Sequence, residues 1–571
     1  MPAAPGAGDR RAVTRALREI AQRLSLLPGD VRFRARAYER AARTIERASQ
    51  DLDRLVAEKR LDELSGIGPA LAAVITELYE TGRSARLDQL RLETPAGVVA
   101  LAPVIGMPAA RALHEALGVD SVAALRDAAE RQLVREVKGF GPKREAALLE
   151  RLRRYEERPS SMRLHEALAE ADRVVTRLNA LPSTRADIVG AARRGAETVD
   201  EAEVLAATDD PSSVRDALPD GLAVRVSIRS NAHRAVELVR RTGSAAHLRR
   251  LDERARARGL RLEPDGLGAR ELREESDVYA ALDLPFIPPE LREDEGEIEA
   301  AEQGRLPELI RREDIVGAVH CHTVASDGRH SLLQMARAAE ARGFRYMTVT
   351  DHSPSAHYAR GLSVDRLKAQ WDEIAQVQEQ VKIRLLRGTE SDITREGALD
   401  WPDAIVEQLD VVIASIHERH RMDAAAMTSR IVRALRHPAF KIWGHPLGRL
   451  IGRRPPFECD LDAIFDALAE SRGAVEINGD PHRLDLEPRL VRRARERGLR
   501  FVVSTDAHST GELGNVSYGT LMARRAGLTR DDVLNTRDAD AFAHIVKPLD
   551  AAAPGRRSTS NAGGSHGLPR P

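Results

Sequence analysis

From residue 314 to about residue 510 the chain repeats one pattern: a short apolar run, a turn carrying polar residues, then apolar positions at helical spacing. The runs are IVGAVHCH, FRYMTVTDH, IRLLRGTES, LDVVIASIH, FKIWGHP, AVEINGD and LRFVVSTDAH. Between them lie SLLQMARAAEARG, VDRLKAQWDEIAQVQEQV, AAMTSRIVRALR, LDAIFDALAESRG and LEPRLVRRARERG, each amphipathic when wound as a helix. Seven strands alternating with helices predict a parallel sheet, and helices on its outside favour closure into a barrel. Upstream, residues 11–155 read as helix after helix with short glycine-bearing breaks, as in VTRALREIAQRLSLL, AYERAARTIERA and LAAVITELYETG. Residues 158–265 mix helical stretches with β-branched runs (DIVGAA, VLAATDD, LAVRVSIRS), which predicts an α+β unit. The proline-bearing, acidic stretch 266–313 reads as a linker packed along a surface, and the Gly/Ser/Pro/Arg-rich tail from Pro554 as disordered.

Composition narrows the class. A chain of 571 residues holds about three to five domains at roughly 100–200 residues each. With 42% hydrophobic and 31% charged residues, and no run near the roughly 18 apolar residues of a membrane span, a soluble protein without a membrane partner is expected. The N-terminus MPAAPGAGDRRAV has no apolar core and predicts no secretory signal. Two cysteines, Cys321 and Cys459, are too few for a disulfide framework or a thiolate zinc site, and point to the cytoplasm. Basic and acidic residues balance at 88 each, which excludes a globally basic nucleic-acid binder but not local patches.

Histidine changes the picture, because eleven of the 17 fall between His320 and His508. In a βα barrel, functional groups gather where strands end, since the following loops converge on one mouth. The first run ends in His320 and His322, with Asp327 in the turn after it, and the second ends in Asp351 and His352. Glu390 closes the third, His417 the fourth, His445 the fifth, and Asp506 with His508 the seventh. Strand alternation puts residues i and i+2 on one face, so His320/His322 and Asp506/His508 can each aim two ligands inward. A lone H-x-H is ordinarily structural, and His330, His357, His420, His437 and His482 are read as non-ligands. Six histidines and three carboxylates at six strand ends instead predict a site for divalent metal, with Zn²⁺ and Mn²⁺ the fitting ions.

The motifs HCHTVASDG, TVTDHS, GTESDI, ASIHERH, WGHPLGRLIGRR, EINGDPHRLDL and STDAHST closely resemble the polymerase-and-histidinol-phosphatase (PHP) domain that follows the polymerase in bacterial family X DNA polymerases. The resemblance runs from about Arg15 to Pro548. It implies a distorted (βα)₇ barrel with up to three metal ions. Carried onto this sequence, one would take His320, His322, Glu390 and Asp506; a second would share Glu390 and add His417 and His445; a third would take Asp327, His352 and His508. Metals held in this way acidify water for attack on phosphorus and steady the non-bridging and leaving oxygens. Arg449 and Arg453 are candidate phosphate clamps, and Asp351 a residue that orients its neighbours.

In the front half, LSGIGPALAAVI and VKGFGPKREAALL read as helix, glycine turn, helix. They resemble helix-hairpin-helix motifs, which would grip DNA backbone without reading bases, through Gly66, Gly68, Gly139, Gly141 and Lys143. A third copy, PVIGMPAARAL, has Pro108 in place of its second glycine. Residues 188–210 resemble the family X palm motif G-S-x-R-R-G followed by D-x-D. Here Gly190 and Arg194 are kept, the serine is Ala191, the carboxylate pair is Glu201 and Glu203, and the third carboxylate position is Arg225. An arginine cannot ligate Mg²⁺ and would repel it, so a palm that holds Mg²⁺ is not expected. Arg240 and Arg241 replace the aromatic pair before Thr242-Gly243-Ser244, and no lysine stands between Lys59 and Lys138 for Schiff-base lyase chemistry.

The expected architecture is a multidomain α/β protein with an all-α helix-hairpin-helix N-terminal region, an α+β nucleotidyltransferase-like palm and a C-terminal distorted (βα)₇ PHP barrel. The expected domains are a flexible N-terminus (1–8), a helical DNA-binding domain with the first helix-hairpin-helix (9–90) and a helical fingers-like domain with another (91–157). A degenerate palm (158–235), a thumb-like region (236–290), a linker (291–313), the PHP barrel (314–550) and a disordered tail (551–571) follow. The expected function is a DNA-binding, metal-dependent phosphodiesterase of DNA repair: a 3′–5′ exonuclease, with 3′-phosphatase and AP-endonuclease activity as further candidates and polymerase activity lost or weak. Its partner would be gapped, nicked or 3′-ended DNA, bound without sequence preference, and a monomer is favoured. Three alternatives stay open: an active gap-filling polymerase with a proofreading barrel, a small-molecule phosphatase, and a non-catalytic DNA-end scaffold.

Overall fold

A computed structural model describes residues 10–548 except 26, 28–31, 48–51, 65, 157–160, 220–221 and 269. The expectations for 1–8 and 551–571 therefore lie outside the described residues. The chain divides into two compact units, residues 1–160 and 161–571.

Every element described in the first unit is helical. Leu17, Ile45, Leu55, Ile75 and Leu78 bury one core and Leu101, Leu113, Leu125 and Leu152 a second. One construction occurs twice: a single 3₁₀ turn (Leu61–Glu63, Val134–Glu136), a glycine in the left-handed region (Gly66 at φ +83°, Gly139 at φ +93°), then a helix opening on proline (Pro69–Thr81, Pro142–Glu156). Proline suits the first helical position, where its missing N–H is not needed. Glu145 ties the second copy together by accepting from the N–H and the Nε of Arg135 at 2.8 and 2.7 Å. No described atom beyond the chain neighbours lies within 4 Å of where a side chain would start at Gly66, Gly68, Gly139 or Gly141, so this backbone is open to close approach. Lys143 is exposed beside it.

The second unit begins with helix Leu164–Asn179 packed on a three-stranded sheet of β1 (Arg185–Val189), β2 (Ala202–Ala207) and β3 (Val224–Arg229), where β1 runs antiparallel and β3 parallel to β2. The helix buries Leu164, Ala167, Ala171, Val174 and Leu178, positions spaced for one face. Helices Arg234–Thr242, Ala245–Ala257 and Glu275–Ala280 then form a small core around Val239, Leu251 and Tyr279. The stretch expected as a linker, 291–313, holds helix Glu297–Glu302, whose Ile298 and Ala301 are buried in that core. One of its acids is internal: Glu297 accepts the N–H groups of Asp294 and Glu295 at 2.9 and 2.8 Å and lies 2.6 Å from His247 Nδ1.

The seven apolar runs form seven parallel strands in chain order: β4 (Gly317–Cys321), β5 (Tyr346–Val349), β6 (Arg384–Asp392), β7 (Val411–Ser415), β8 (Lys441–Trp443), β9 (Gly473–Asn478) and β10 (Phe501–Ser504). Beyond β10 the chain returns to β4 through Thr505 N–H to Val319 O (3.1 Å), Ala507 N–H to His320 O (3.0 Å) and His322 N–H to Ala507 O (2.9 Å), so the barrel is nearly closed. Met335, Ile374, Leu435, Phe465 and Val491 of the outer helices pack on the strands. Inside, Val319, Tyr346, Ile413, Ile442 and Val502 fill the end where the strands begin, and Phe542 of helix Ala539–Val546 plugs it 5.0 Å from the Tyr346 ring. The imidazole and carboxylate side chains gather at the other end, where the strands finish. No helix among the described residues is long and apolar enough to cross a membrane.

Candidate metal centre

All nine residues singled out as ligands meet at the open end, but simple alternation does not bring them there. On β4, Ala318 and Cys321 pack toward the helices and Val319 packs inside. Strict alternation would turn His320 outward. Instead the pairing register shifts between Ala318 and Cys321, and His320 adopts φ +64°, so His320 and His322 both face inward. Asp506 at φ +47° and His445 at φ +24° use the same left-handed region, which costs energy for a residue with a side chain.

Glu390 is the hub. Its Oε1 lies 2.8 Å from His445 Nε2 and 3.2 Å from His417 Nε2; its Oε2 lies 3.1, 3.3 and 3.6 Å from nitrogens of His352, His320 and His322. Asp506 Oδ1 is 3.5 Å from His322 Nε2 and 3.6 Å from His320 Nε2. Asp327 stands between His352 Nε2 at 3.5 Å and His508 Nε2 at 3.3 Å. Potential ligand atoms thus form three overlapping groups, His322/Asp327/His352/His508, His320/His322/Asp506 and His352/Glu390/His417, each with its atoms within 4.8 Å of one another.

The electrostatics ask for cations. Burial opposes charge on His320, yet Glu476, Glu390 and Asp506 hold its pKa well above the usual range. Against the same burial, Glu390 and Asp392 raise His417 to about 10, and Asp327 and Asp506 raise His508 to about 9. His322 falls to about 4, because burial is reinforced by His508 and His352. Although burial would raise them, Glu390 and Asp506 stay well below the carboxylate range among the imidazoles. His320 Nε2, both nitrogens of His322, His352 Nδ1 and His445 Nδ1 are buried without a hydrogen bond, a state buried polar atoms rarely keep. Neutral imidazole and carboxylate are the donor set of Zn²⁺ and Mn²⁺ sites, so the residues present fit divalent metal.

Supporting residues escape a reading by strand ends alone. Glu476 on β9 is fully buried, lies 2.6 Å from His320 Nδ1 and accepts the His445 N–H. Asp392 lies 3.0 Å from His417 Nδ1, and Asn478 Nδ2 donates to Asp506 Oδ2 at 3.1 Å. Such partners set which imidazole nitrogen is free to ligate. Asp351 accepts the N–H and hydroxyl of Thr323 at 2.8 and 2.7 Å and bonds Ser326, so it shapes the turn that carries Asp327. Arg483 places Nε 3.3 Å from Asp506 Oδ2. Burial, reinforced by the charges of Arg483 and Arg419, lowers the pKa of Arg454. The Tyr358 ring is 68% exposed and sits 6.0 and 5.8 Å from the rings of His352 and His417. Of these, the sequence singles out Asp351, and Arg454 has a signal as the neighbour of Arg453 in one Arg-Arg pair.

Of the two arginines expected at a phosphate, Arg449 is engaged elsewhere. Arg449 gives both terminal nitrogens to Glu197, at 3.0 and 2.6 Å, and its Nε to the carbonyl of Arg483, so its donors are already taken. Arg453 is exposed. In the palm, Glu203 sits opposite Arg225 in the β2/β3 register, and Arg225 is ion-paired with Glu201. Gly190, at φ +74°, leaves room for the Glu203 carboxylate, which a Cβ there would approach to 2.8 Å; Ala191 follows it on the same short helix. Arg194 donates to Glu293 and to the Thr242 carbonyl, both at 2.8 Å.

Comparison with known proteins agrees with this layout. A helix-hairpin-helix domain model matches residues 9–84, a SAM-like helix-hairpin-helix tandem 102–154, a DNA polymerase beta thumb 237–293 and a PHP domain 318–479. The chain is 32% identical over 569 residues, 93% of its length and 99% of the relative's, to a protein of Bacillus subtilis (strain 168) named DNA polymerase/3'-5' exonuclease PolX. Over 229 residues, 38% of the chain, it is 31% identical to 89% of a Thermoanaerobacter sp. (strain X514) protein described as a probable phosphatase. With four domain models matched in order and the first relative aligned almost end to end, the chain belongs to the bacterial family X DNA polymerases that carry a C-terminal PHP domain.

Proposed function

We propose that this protein is a DNA-directed, metal-dependent phosphodiesterase acting as a 3′–5′ exonuclease in repair, and that its palm no longer transfers nucleotides. The observation that carries the reading is a contrast in counter-charge. Glu390, at the centre of the barrel mouth, faces imidazoles, which can give up a proton to admit a metal, whereas the palm pair faces the permanent charge of Arg225. His320, His322 and Asp506, Glu390 with His417 and His445, and Asp327 with His352 and His508 would hold up to three Mn²⁺ or Zn²⁺ ions. When bound, these ions supply Lewis acidity toward a phosphoryl group and its attacking water. Arg454 and Arg483 take the phosphate-facing place first assigned to Arg449 and Arg453, and the exposed Tyr358 ring offers a face on which a terminal base can stack. The open glycine turns, with Lys143 beside one of them, supply sequence-independent contacts to the DNA backbone. The same chemistry serves a 3′-phosphate or an abasic site. A second reading, a gap-filling polymerase with a proofreading barrel, is favoured by the name of the Bacillus relative.

A gel assay with Mn²⁺ on a 5′-labelled gapped duplex, with and without deoxynucleotides, separates the two. Shortening that a His322→Ala, Asp506→Ala variant loses, with no extension, is expected. Extension that survives those substitutions would establish the polymerase reading instead.

A further inference from the structure

A palm that has lost its chemistry has no evident reason to keep its fold, yet one of its carboxylates reaches the barrel's machinery. Glu197, just past the Arg193-Arg194 motif, holds both terminal nitrogens of Arg449. Arg449 stands four residues beyond the ligand His445. Its Nε donates at 2.8 Å to the carbonyl of Arg483, and a terminal nitrogen donates to the carbonyl of Leu484. One guanidinium therefore bonds the palm and the main chain of loop 479–487 together. His165 of the palm helix supports the same loop from its ring, 5.2 Å from that of His482. Asp485 closes the loop onto the His445 turn by accepting the Leu447 N–H at 2.9 Å. The loop is not one its local sequence favours, since Leu484 sits at φ +45°, and such a conformation persists only where its surroundings impose it. Between these supports Arg483 turns its side chain toward the metal centre. Its Nε is 3.3 Å from Asp506 Oδ2, its side chain is 18% exposed, and its Nη1 is buried without a partner.

We propose that the palm is retained as a positioning element for the barrel: Glu197, acting through Arg449, fixes loop 479–487 and so holds the Arg483 guanidinium against Asp506. The proposal rests on the hydrolytic reading above. Arg483 orients one ligand carboxylate and keeps a fixed positive charge where a phosphate would arrive, and neither Glu197 nor Arg449 touches substrate.

The test uses the full chain with Mn²⁺ and single-stranded and gapped DNA. Glu197→Ala is expected to lower kcat about tenfold, given that small misplacements at a centre are costly, with KM within about twofold and bound metal unchanged. Glu197→Gln, which keeps an acceptor for Arg449, recovers most of the rate. Arg483→Ala gives at least the same loss, and adding Glu197→Ala to it costs nothing further, because both act through one group. Glu295→Ala, which breaks the thumb-to-barrel ion pair with Arg492 but leaves the loop alone, keeps the wild-type rate. Hydrogen exchange read by mass spectrometry rises in 479–487 for Glu197→Ala and not for Glu295→Ala. Wild-type kcat in Glu197→Ala, or losses that multiply in the double variant, would overturn the relay. An inactive wild-type protein would sink the hydrolytic reading, and the exchange measurement would still decide whether Glu197 holds the loop.

Discussion

The barrel mouth and the palm pose the same electrostatic problem and solve it in opposite ways. Both gather carboxylates at the edge of a parallel strand pair. At the barrel, Glu390 is buried and answered by histidines, whose charge is a removable proton, and Asp506 turns Oδ1 to histidines while its Oδ2 meets Arg483. At the palm, Glu201 and Glu203 are answered by Arg225 from the adjacent strand, and Arg194 is committed to Glu293. A guanidinium neither titrates nor leaves under ordinary conditions, so on the proposed reading the palm is closed to metal while the mouth can exchange protons for it. The difference teaches that a count of acidic residues does not define a metal site; the partner each carboxylate already has decides.

The largest effect that sharpens this contrast is chemical. Replacing His322 and Asp506 by alanine should reduce DNA hydrolysis on the order of a thousandfold, about 4 kcal/mol of transition-state stabilisation, and lower bound metal measured by mass spectrometry. Hydrolysis within tenfold of wild type would break the comparison.

Next comes pH. His508 and His417 are raised in the folded protein to about 9 and about 10, above the ordinary unfolded value near 6.5. Protonation therefore stabilises the metal-free fold fully below about pH 6.5, and that contribution is lost as pH rises through about 9 and then 10. Chelated protein should lose up to about 8 kcal/mol over this range, the sum of the two shifts, seen as a falling melting temperature. Metal-loaded protein should show a flatter profile, and its metal affinity should climb over the same range because binding releases protons. Parallel profiles with and without chelator would show that the imidazoles do not exchange protons for metal.

A smaller effect concerns the support behind the ligands. Glu476→Gln keeps the shape but weakens the hold on His320 Nδ1, and should cost about 10–100-fold in metal affinity, measured by titration. Unchanged affinity would reduce Glu476 to packing. The smallest effect belongs to the palm. Arg225 is 61% exposed, so Arg225→Ala should change unfolding free energy by no more than about 1 kcal/mol in a denaturant titration. A larger loss would mean that the pair holds the palm together rather than merely closing it.

Much of this molecule could be read from residue order. The seven runs and their helices follow from the spacing of apolar side chains, and that spacing is a local property of the chain. Eight of the nine candidate ligands stand out because they close such a run, and Asp327 lies in the turn after the first. Arg225 at a carboxylate position likewise announces an altered palm without coordinates. The remainder depends on neighbours far away in the chain. His320 faces inward because a register shift and a left-handed backbone override alternation. The stretch 291–313 is not a linker, because Glu297 meets His247 and carries Ile298 into a core. Arg449 reads as a phosphate clamp from its motif, but Glu197, 252 residues away, takes its guanidinium, and Arg483 turns toward Asp506 instead. Sequence by itself determined which elements form and which side chains could ligate, since periodicity and side-chain chemistry are encoded residue by residue. Only the tertiary structure decided where each charge is spent, because that is a competition among partners which the fold alone brings within reach.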